Sequence, residues 1–264
     1  AMVAAMSGRR QLSYMALAVI LVVYLVIIQG LGAALSQGTD AEYATFPDVE
    51  TTLRSMTVPI ALSVLFGVAV ISVLRQWPEV VHEDHPVRSW VWIVPAVLVA
   101  ASIGVIDYEN LGTLDSGLLV TVVVSSLLVG IGEELMFRGV TIQALRDNGL
   151  SEHRVALWSS LIFGGAHITN LITEGSGAIL QVFAVSISGF FFYLSYRVAG
   201  TIVVPILLHA LWDFALFSHN VGEVDPSPSA RQAMPILANI VLVVVLVLSR
   251  DRIEPEHSSP APST

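Results

Sequence analysis

The sequence predicts an all-α fold, a polytopic bundle of about eight transmembrane helices, and three observations carry that prediction. Of 264 residues, 55% are hydrophobic and only 12% charged, with a mean hydropathy of +0.76; an ordinary soluble domain has roughly 25% charged residues. The apolar residues gather into eight segments, from Leu12 to Leu35, Val58 to Leu74, Trp90 to Ile106, Gly117 to Phe137, Val155 to Ile168, Gly177 to Leu194, Thr201 to Phe217 and Met234 to Leu248. None alternates as a barrel strand would, and lipid leaves backbone groups no partner outside their own segment, so the segments are helices.

Each segment approaches the roughly 17 to 25 residues that span a hydrocarbon core, the fifth and eighth by borrowing flanking residues. The first is well beyond the roughly 7 to 15 apolar residues of a signal peptide and is expected to be retained as a span. Pro59 falls in the first turn of the second, where proline is harmless, whereas Pro95 and Pro205 lie deeper in theirs and predict kinks. Trp77, Trp90, Trp92 and Tyr108 sit at span ends, where aromatic rings anchor the interface.

All 12 basic residues are arginines. Arg9, Arg10, Arg75, Arg88, Arg146, Arg154, Arg197, Arg250 and Arg252 fall on one set of connections. The other set carries Asp40, Glu42, Asp48, Glu50, Asp107, Glu109, Asp115, Glu174, Glu223 and Asp225, with Arg54 and Arg231 as its basic exceptions. Positive charge marks the cytoplasmic side, so both termini are expected there, with eight spans rather than seven. Residues 1–253 form one membrane domain whose motif-bearing core is 117–218, followed by a Pro- and Ser-rich tail, 254–264, expected to be disordered. The expected setting is a multi-pass protein in the plasma membrane of a bacterium or archaeon, surrounded by lipid. A net charge of −9 offers no basic patch, which argues against nucleic acid as a partner. With no cysteine, a bound metal would need His and carboxylate ligands.

Ionisable groups within apolar spans are costly unless they face one another or a wet cavity, which marks Glu133, Glu134, Arg138, His167, His209 and Asp213 as the candidate site. Glu134 and Arg138 are four apart in the fourth span, share a helix face and are placed to form an ion pair. Glu133 is turned about 100° away and lacks that partner, as a general base or acid requires. In the fifth span Phe163 and His167 share a face, and Gly164 with Gly165 allow another backbone or a substrate to come close. In the seventh, His209 and Asp213 are again four apart, so the carboxylate can orient the ring or both can ligate a metal. Counted inward at about 1.5 Å per residue, Glu133, His167 and His209 lie roughly 14 to 21 Å below the cytoplasmic surface, a depth at which three neighbouring helices can present them to one point.

These three patterns, Glu133-Glu134-Arg138 as E-E-x-x-x-R, Phe163-His167 as F-x-x-x-H and His209-Asp213 as H-x-x-x-D, resemble in order those of the CPBP family of intramembrane proteases, also called the CAAX protease and bacteriocin-processing or Abi family. The resemblance covers roughly Val120 to Phe217. It implies a membrane-embedded endopeptidase whose substrate is a lipidated or membrane-associated peptide or protein. Glu133 and His167 would activate a water, His209 and residue 213 would bind the developing oxyanion or a metal, and Glu134 with Arg138 would hold the site. Type II CAAX prenyl endopeptidases have Asn where this chain has Asp213. An ionised carboxylate cannot donate to an oxyanion, so Asp213 is better suited to orient His209 or to ligate a metal.

His167, His209, Asp213 and Glu133 would suit a divalent metal such as zinc, yet there is no H-E-x-x-H. His82-Glu83-Asp84-His85 has the wrong spacing and reads as a solvated turn, and His153, His219 and His257 read as surface residues. Metal-assisted and purely glutamate-activated hydrolysis both stay open. So do two non-hydrolytic functions, a membrane scaffold or bacteriocin-immunity protein binding a peptide in the same cavity, and an ion-coupled transporter. The absence of a second, symmetric half argues against the transporter.

Overall fold

The computed structural model describes residues 8–39, 45–171, 177–222 and 234–255. The remainder of the expected tail, His257, and the loop residues Asp40, Glu42, Glu174, Glu223, Asp225 and Arg231 lie outside these. Among the described residues the chain is a bundle of helices without strands, and each of the eight apolar segments falls in one of them. We number the helices α1 (Tyr14–Leu35), α2 (Val49–Leu74), α3 (Trp77–Val81), α4 (Ser89–Val105), α5 (Tyr108–Leu111), α6 (Ser116–Asp147), α7 (Glu152–Ala166), α8 (Gly177–Ala199), α9 (Val203–Phe217) and α10 (Met234–Leu248). By length and composition α1, α2, α6 and the part of α8 from Ile179 can each cross a membrane, and α4, α9 and α10 are shorter apolar helices. The protein is an integral membrane protein of the all-α class.

Two helices run further than hydropathy indicates. Asp48 caps α2 by accepting from the Thr51 amide at 2.8 Å, so the helix starts nine residues before Val58, through polar residues that had read as loop. Pro59 is therefore well inside α2, two residues after the end of a π-helical stretch, Leu53–Thr57. A proline gives no amide to the carbonyl four residues back. That carbonyl, on Ser55, faces Gly32 of α1, where a Cβ would come within 3.1 Å of it. Pro205 is the third residue of α9, in its first turn, and Pro95 follows the 3-10 turn Ser89–Trp92 that opens α4, so neither lies deep in its helix.

The longest helix is α6, with 32 residues. At about 1.5 Å per residue it is near 48 Å long, well beyond a hydrocarbon core of about 30 Å. It is α-helical to Glu134, π-helical over Leu135–Thr141, and α-helical again to Asp147. Every residue of the π stretch is buried, so α6 is the axis of the bundle. It packs most extensively on α9 and next on α2. At Gly130 a Cβ would come 2.6 Å from the Ile206 carbonyl oxygen and 2.9 Å from the Ala210 nitrogen. Close backbone approach through small residues is how helices associate in lipid, where burying apolar side chains brings little gain. The pair α7 and α8 is joined the same way, through Gly164 against Val182 and Ser186, whereas Gly165 faces open space.

The arginine-rich end of the bundle holds a polar cluster where a solvated turn was expected. Glu83 is buried, accepting at 3.0 Å from both Nη1 and Nη2 of Arg146 and at 2.6 Å from the His85 amide. Arg146 also binds Glu152 through Nε at 2.8 Å and Nη2 at 2.9 Å, and Tyr193 donates to Glu152 at 2.7 Å. Glu254, the first residue of the expected tail, accepts from Arg197 at 2.8 and 2.9 Å. At the opposite end His219 is a second departure from the surface expectation. It is buried, with Nε2 2.7 Å from the Val105 carbonyl oxygen and Nδ1 3.5 Å from Asp107.

Candidate active site

The site is built where α6, α7, α8 and α9 meet. Glu134 and Arg138, one turn apart on α6, are both buried and joined at 2.9 Å between Oε1 and Nη1. Arg138 gives a second hydrogen bond, from Nη2, to the carbonyl of Gly189 on α8 at 3.0 Å. Its guanidinium lies over the rings of Phe163 and Phe192, 4.2 and 5.2 Å from their centroids. A cation removed from water needs such compensation, because an unpaired buried charge costs several kcal/mol, and aromatic faces supply part of it.

The same Glu134 oxygen lies 2.7 Å from Nδ1 of His209. A carboxylate can only accept, so Nδ1 carries a proton. His209 is buried and stacks on Phe192 at 4.6 Å with 16° between planes, while Phe163 meets it edge-on at 5.8 Å. With both faces and one nitrogen held, the ring has one functional edge, Nε2. That nitrogen is 3.7 Å from Glu133 Oε2 and 3.5 Å from Asp213 Oδ2. Both separations exceed an ordinary hydrogen bond and are ion-pair contacts, so Nε2 is left without a close hydrogen-bond partner. Glu133 Oε2 and Glu134 Oε2 are buried and make no hydrogen bond among the described residues.

Five of the six candidates therefore converge, through three ion pairs centred on His209 and the pair between Glu134 and Arg138. His167 stands one ring away. Its Nδ1 is 3.1 Å from the Phe163 carbonyl oxygen, so that nitrogen donates and Nε2 keeps the lone pair. Its ring contacts Phe163 at 5.3 Å, and it makes no direct ion pair with Glu133 among the described residues. The close partner that orients His209 is Glu134 on α6, with Asp213 at the opposite nitrogen. Among the described residues no three His, Asp or Glu side chains are gathered so as to hold a metal ion. Carboxylates and an imidazole so placed can exchange protons.

Several contributors carry no mark in the sequence patterns. Gly189 acts through its carbonyl, and Phe192 is one aromatic residue in a run of apolar ones. The 3-10 turn His167–Asn170 is tied to α1 by Gln29, whose Nε2 lies 3.3 Å from Thr169 Oγ1 and 3.4 Å from Asn170 Oδ1. Tyr24 of α1 is buried beside Gly132 and had a usable signal, since it falls mid-span rather than at an interface.

Neither a curated protein nor a solved structure matches the chain. Residues 115–215 match the family model described as type II CAAX prenyl endopeptidase Rce1-like, and that stretch contains all six candidate side chains. The Rce1-like match runs from the Asp115 cap of α6 to Ala215 in the last turn of α9.

Proposed function

We propose that the protein is an intramembrane endopeptidase that hydrolyses a peptide bond of a lipidated or membrane-associated substrate with a water activated by Glu133. The observation that carries this is the trio at the open edge of His209, where Nε2 faces Glu133 at 3.7 Å and Asp213 at 3.5 Å while Nδ1 is locked by Glu134. The water gives a proton to Glu133 as its oxygen bonds to the substrate carbonyl carbon. When the C–N bond breaks, that proton passes to the leaving nitrogen. A general base of this kind accounts for roughly 10² to 10⁴ in rate. As an imidazolium held among Glu133, Glu134 and Asp213, His209 carries a proton on each nitrogen, and the one on Nε2 meets the charge developing on the carbonyl oxygen in the transition state. Asp213, which cannot donate when ionised, acts on the ring. His167, with its lone pair at Nε2, supports proton transfer from the α7 side. Glu134 and Arg138 do not touch substrate; they fix the imidazole.

The test is cleavage of a farnesylated CAAX peptide carrying a fluorophore and quencher by protein in nanodiscs, run alongside a comparison of membrane peptides from cells expressing wild type or Glu133→Gln. The expected result is a rate lower by about 10² to 10⁴ in the variant, with substrates accumulating in its membranes. Normal turnover by a well-folded Glu133→Gln protein would sink the proposal; no cleavage by wild type, with the same membrane peptides in Glu133→Gln cells, would favour the peptide-binding scaffold.

A further inference from the structure

Outside the matched segment, one polar side chain is buried against the site's surroundings with the lone pairs of its oxygen unspent. Tyr24 on α1 is 1% exposed, and its hydroxyl is a buried oxygen without a hydrogen-bond partner. Ser63 of α2 lies beside it with its own hydrogen given to the Ile60 carbonyl at 2.8 Å, so Ser63 can accept the Tyr24 proton in a hydrogen bond and leaves the phenol's lone pairs open. The hydroxyl lies against α6 where the chain has glycine, and a Cβ at Gly132 would come 3.0 Å from it. The ring meets Phe137 edge-on at 6.2 Å, one helical turn beyond Glu133. Burying a hydroxyl unpaired costs about 1 to 3 kcal/mol, and phenylalanine would fill the same space without that cost. Glu133 Oε2, the next residue along α6 from Gly132, is likewise buried and unpaired. Two unspent oxygens on adjacent helices are what a shared water satisfies.

We infer that Tyr24 is a further catalytic residue, whose phenol oxygen hydrogen-bonds the water that Glu133 activates. The water gives one proton to Glu133 and directs its other hydrogen at Tyr24 Oη, which leaves a lone pair aimed at the substrate carbonyl; Tyr24 neither gains nor loses a proton. This rests on the proposed hydrolysis. It also brings α1, which lies outside residues 115–215, into the machinery.

The test is Tyr24→Phe beside Glu133→Gln, with kcat, KM and thermal unfolding measured in nanodiscs on the same farnesylated peptide. The expected Tyr24→Phe result is a kcat lower by roughly ten- to a hundredfold, the worth of one to two hydrogen bonds, with KM within about twofold and a melting temperature equal to or above wild type. A purely structural tyrosine would instead lower the melting temperature and leave kcat per folded molecule intact, and either finding overturns the assignment. Full turnover by Tyr24→Phe beside an inactive Glu133→Gln removes the phenol alone, whereas full turnover by Glu133→Gln removes the hydrolytic mechanism beneath it.

Discussion

The cluster of Glu83, Glu152 and Arg146 and the cluster of Glu133, Glu134 and Arg138 differ in whether their atoms are spent. At the arginine-rich end, both oxygens of Glu83 and both of Glu152 accept hydrogen bonds, and Arg146 serves the two carboxylates through Nε, Nη1 and Nη2. In mid-bundle, Glu133 Oε2, Glu134 Oε2 and the Tyr24 hydroxyl are buried and unmatched. A closed network is the mark of a structural staple, since a satisfied buried network rigidifies its surroundings. Open valences sealed from water are a stability cost that a fold built only to persist would have replaced with apolar groups. The comparison thus sets a cluster whose oxygens are all taken against one that, on the proposed function, keeps oxygens free for a substrate.

The sharpest way to break that distinction is a paired measurement. Glu133→Gln should cut cleavage by about 10² to 10⁴ while unfolding within about 1 kcal/mol of wild type, because it removes no made hydrogen bond. Arg146→Met should do the reverse. Stranding Glu83 and Glu152 costs on the order of 3 to 5 kcal/mol, while cleavage per folded molecule stays near wild type. Activity lost in step with stability in both variants would erase the contrast. Arg138→Met tests the boundary between the classes, since Arg138 is structural in its bonds yet holds the residue that orients His209. Its loss leaves Glu134 with the imidazole alone, so both a destabilisation of about 3 kcal/mol and a fall in kcat are expected. Loss of only one of the two would place Arg138 wholly on one side.

A smaller effect separates two adjacent glycines. Gly164 packs against Val182 and Ser186 of α8, and Gly165 meets nothing within 4 Å. Gly164→Ala should therefore cost roughly 1 to 3 kcal/mol by overpacking. Gly165→Ala should be neutral or stabilising by up to about 1 kcal/mol, from helix propensity alone. Equal effects, read as melting temperatures in detergent, would show that α7 and α8 do not approach as described.

What the sequence made legible follows from which signals are local. Ionisable residues in apolar spans stand out because lipid penalises them, so the six candidates were readable, as was Glu134 paired with Arg138 at i, i+4. The ends of α2 and α6 were not, because hydropathy reports the preferred solvent of a side chain and not where backbone hydrogen bonding stops. Asp48 to Thr57 looked like loop while forming the start of a helix. The bond from Arg138 to the Gly189 carbonyl involves a backbone atom, which every residue has, so nothing in the sequence announces it. Glu83 and His219 misled for a related reason: short polar stretches usually meet water, and only Arg146 in one case and the Val105 carbonyl in the other, both distant in sequence, make burial tolerable.

The last and smallest effect is acid sensitivity of the closed cluster. Burial by itself would raise the Glu152 carboxyl above its ordinary range, but hydrogen bonds from Arg146 and Tyr193, with the charge of Arg146, outweigh it and hold the group at about 2. A carboxyl whose affinity for protons is lower folded than unfolded stabilises the fold once pH exceeds its unfolded value, near 4.5, and that contribution fades as pH falls from there towards 2. Glu152→Gln should thus unfold at a lower temperature than wild type at pH 7, with the gap narrowing between pH 4.5 and 3. Glu152 is partly exposed at the end of α7, so solvent screening keeps the gap modest. A gap that stays constant over that range would mean that Arg146 holds Glu83 alone, and that Glu152 contributes its shape to the cluster and not its charge.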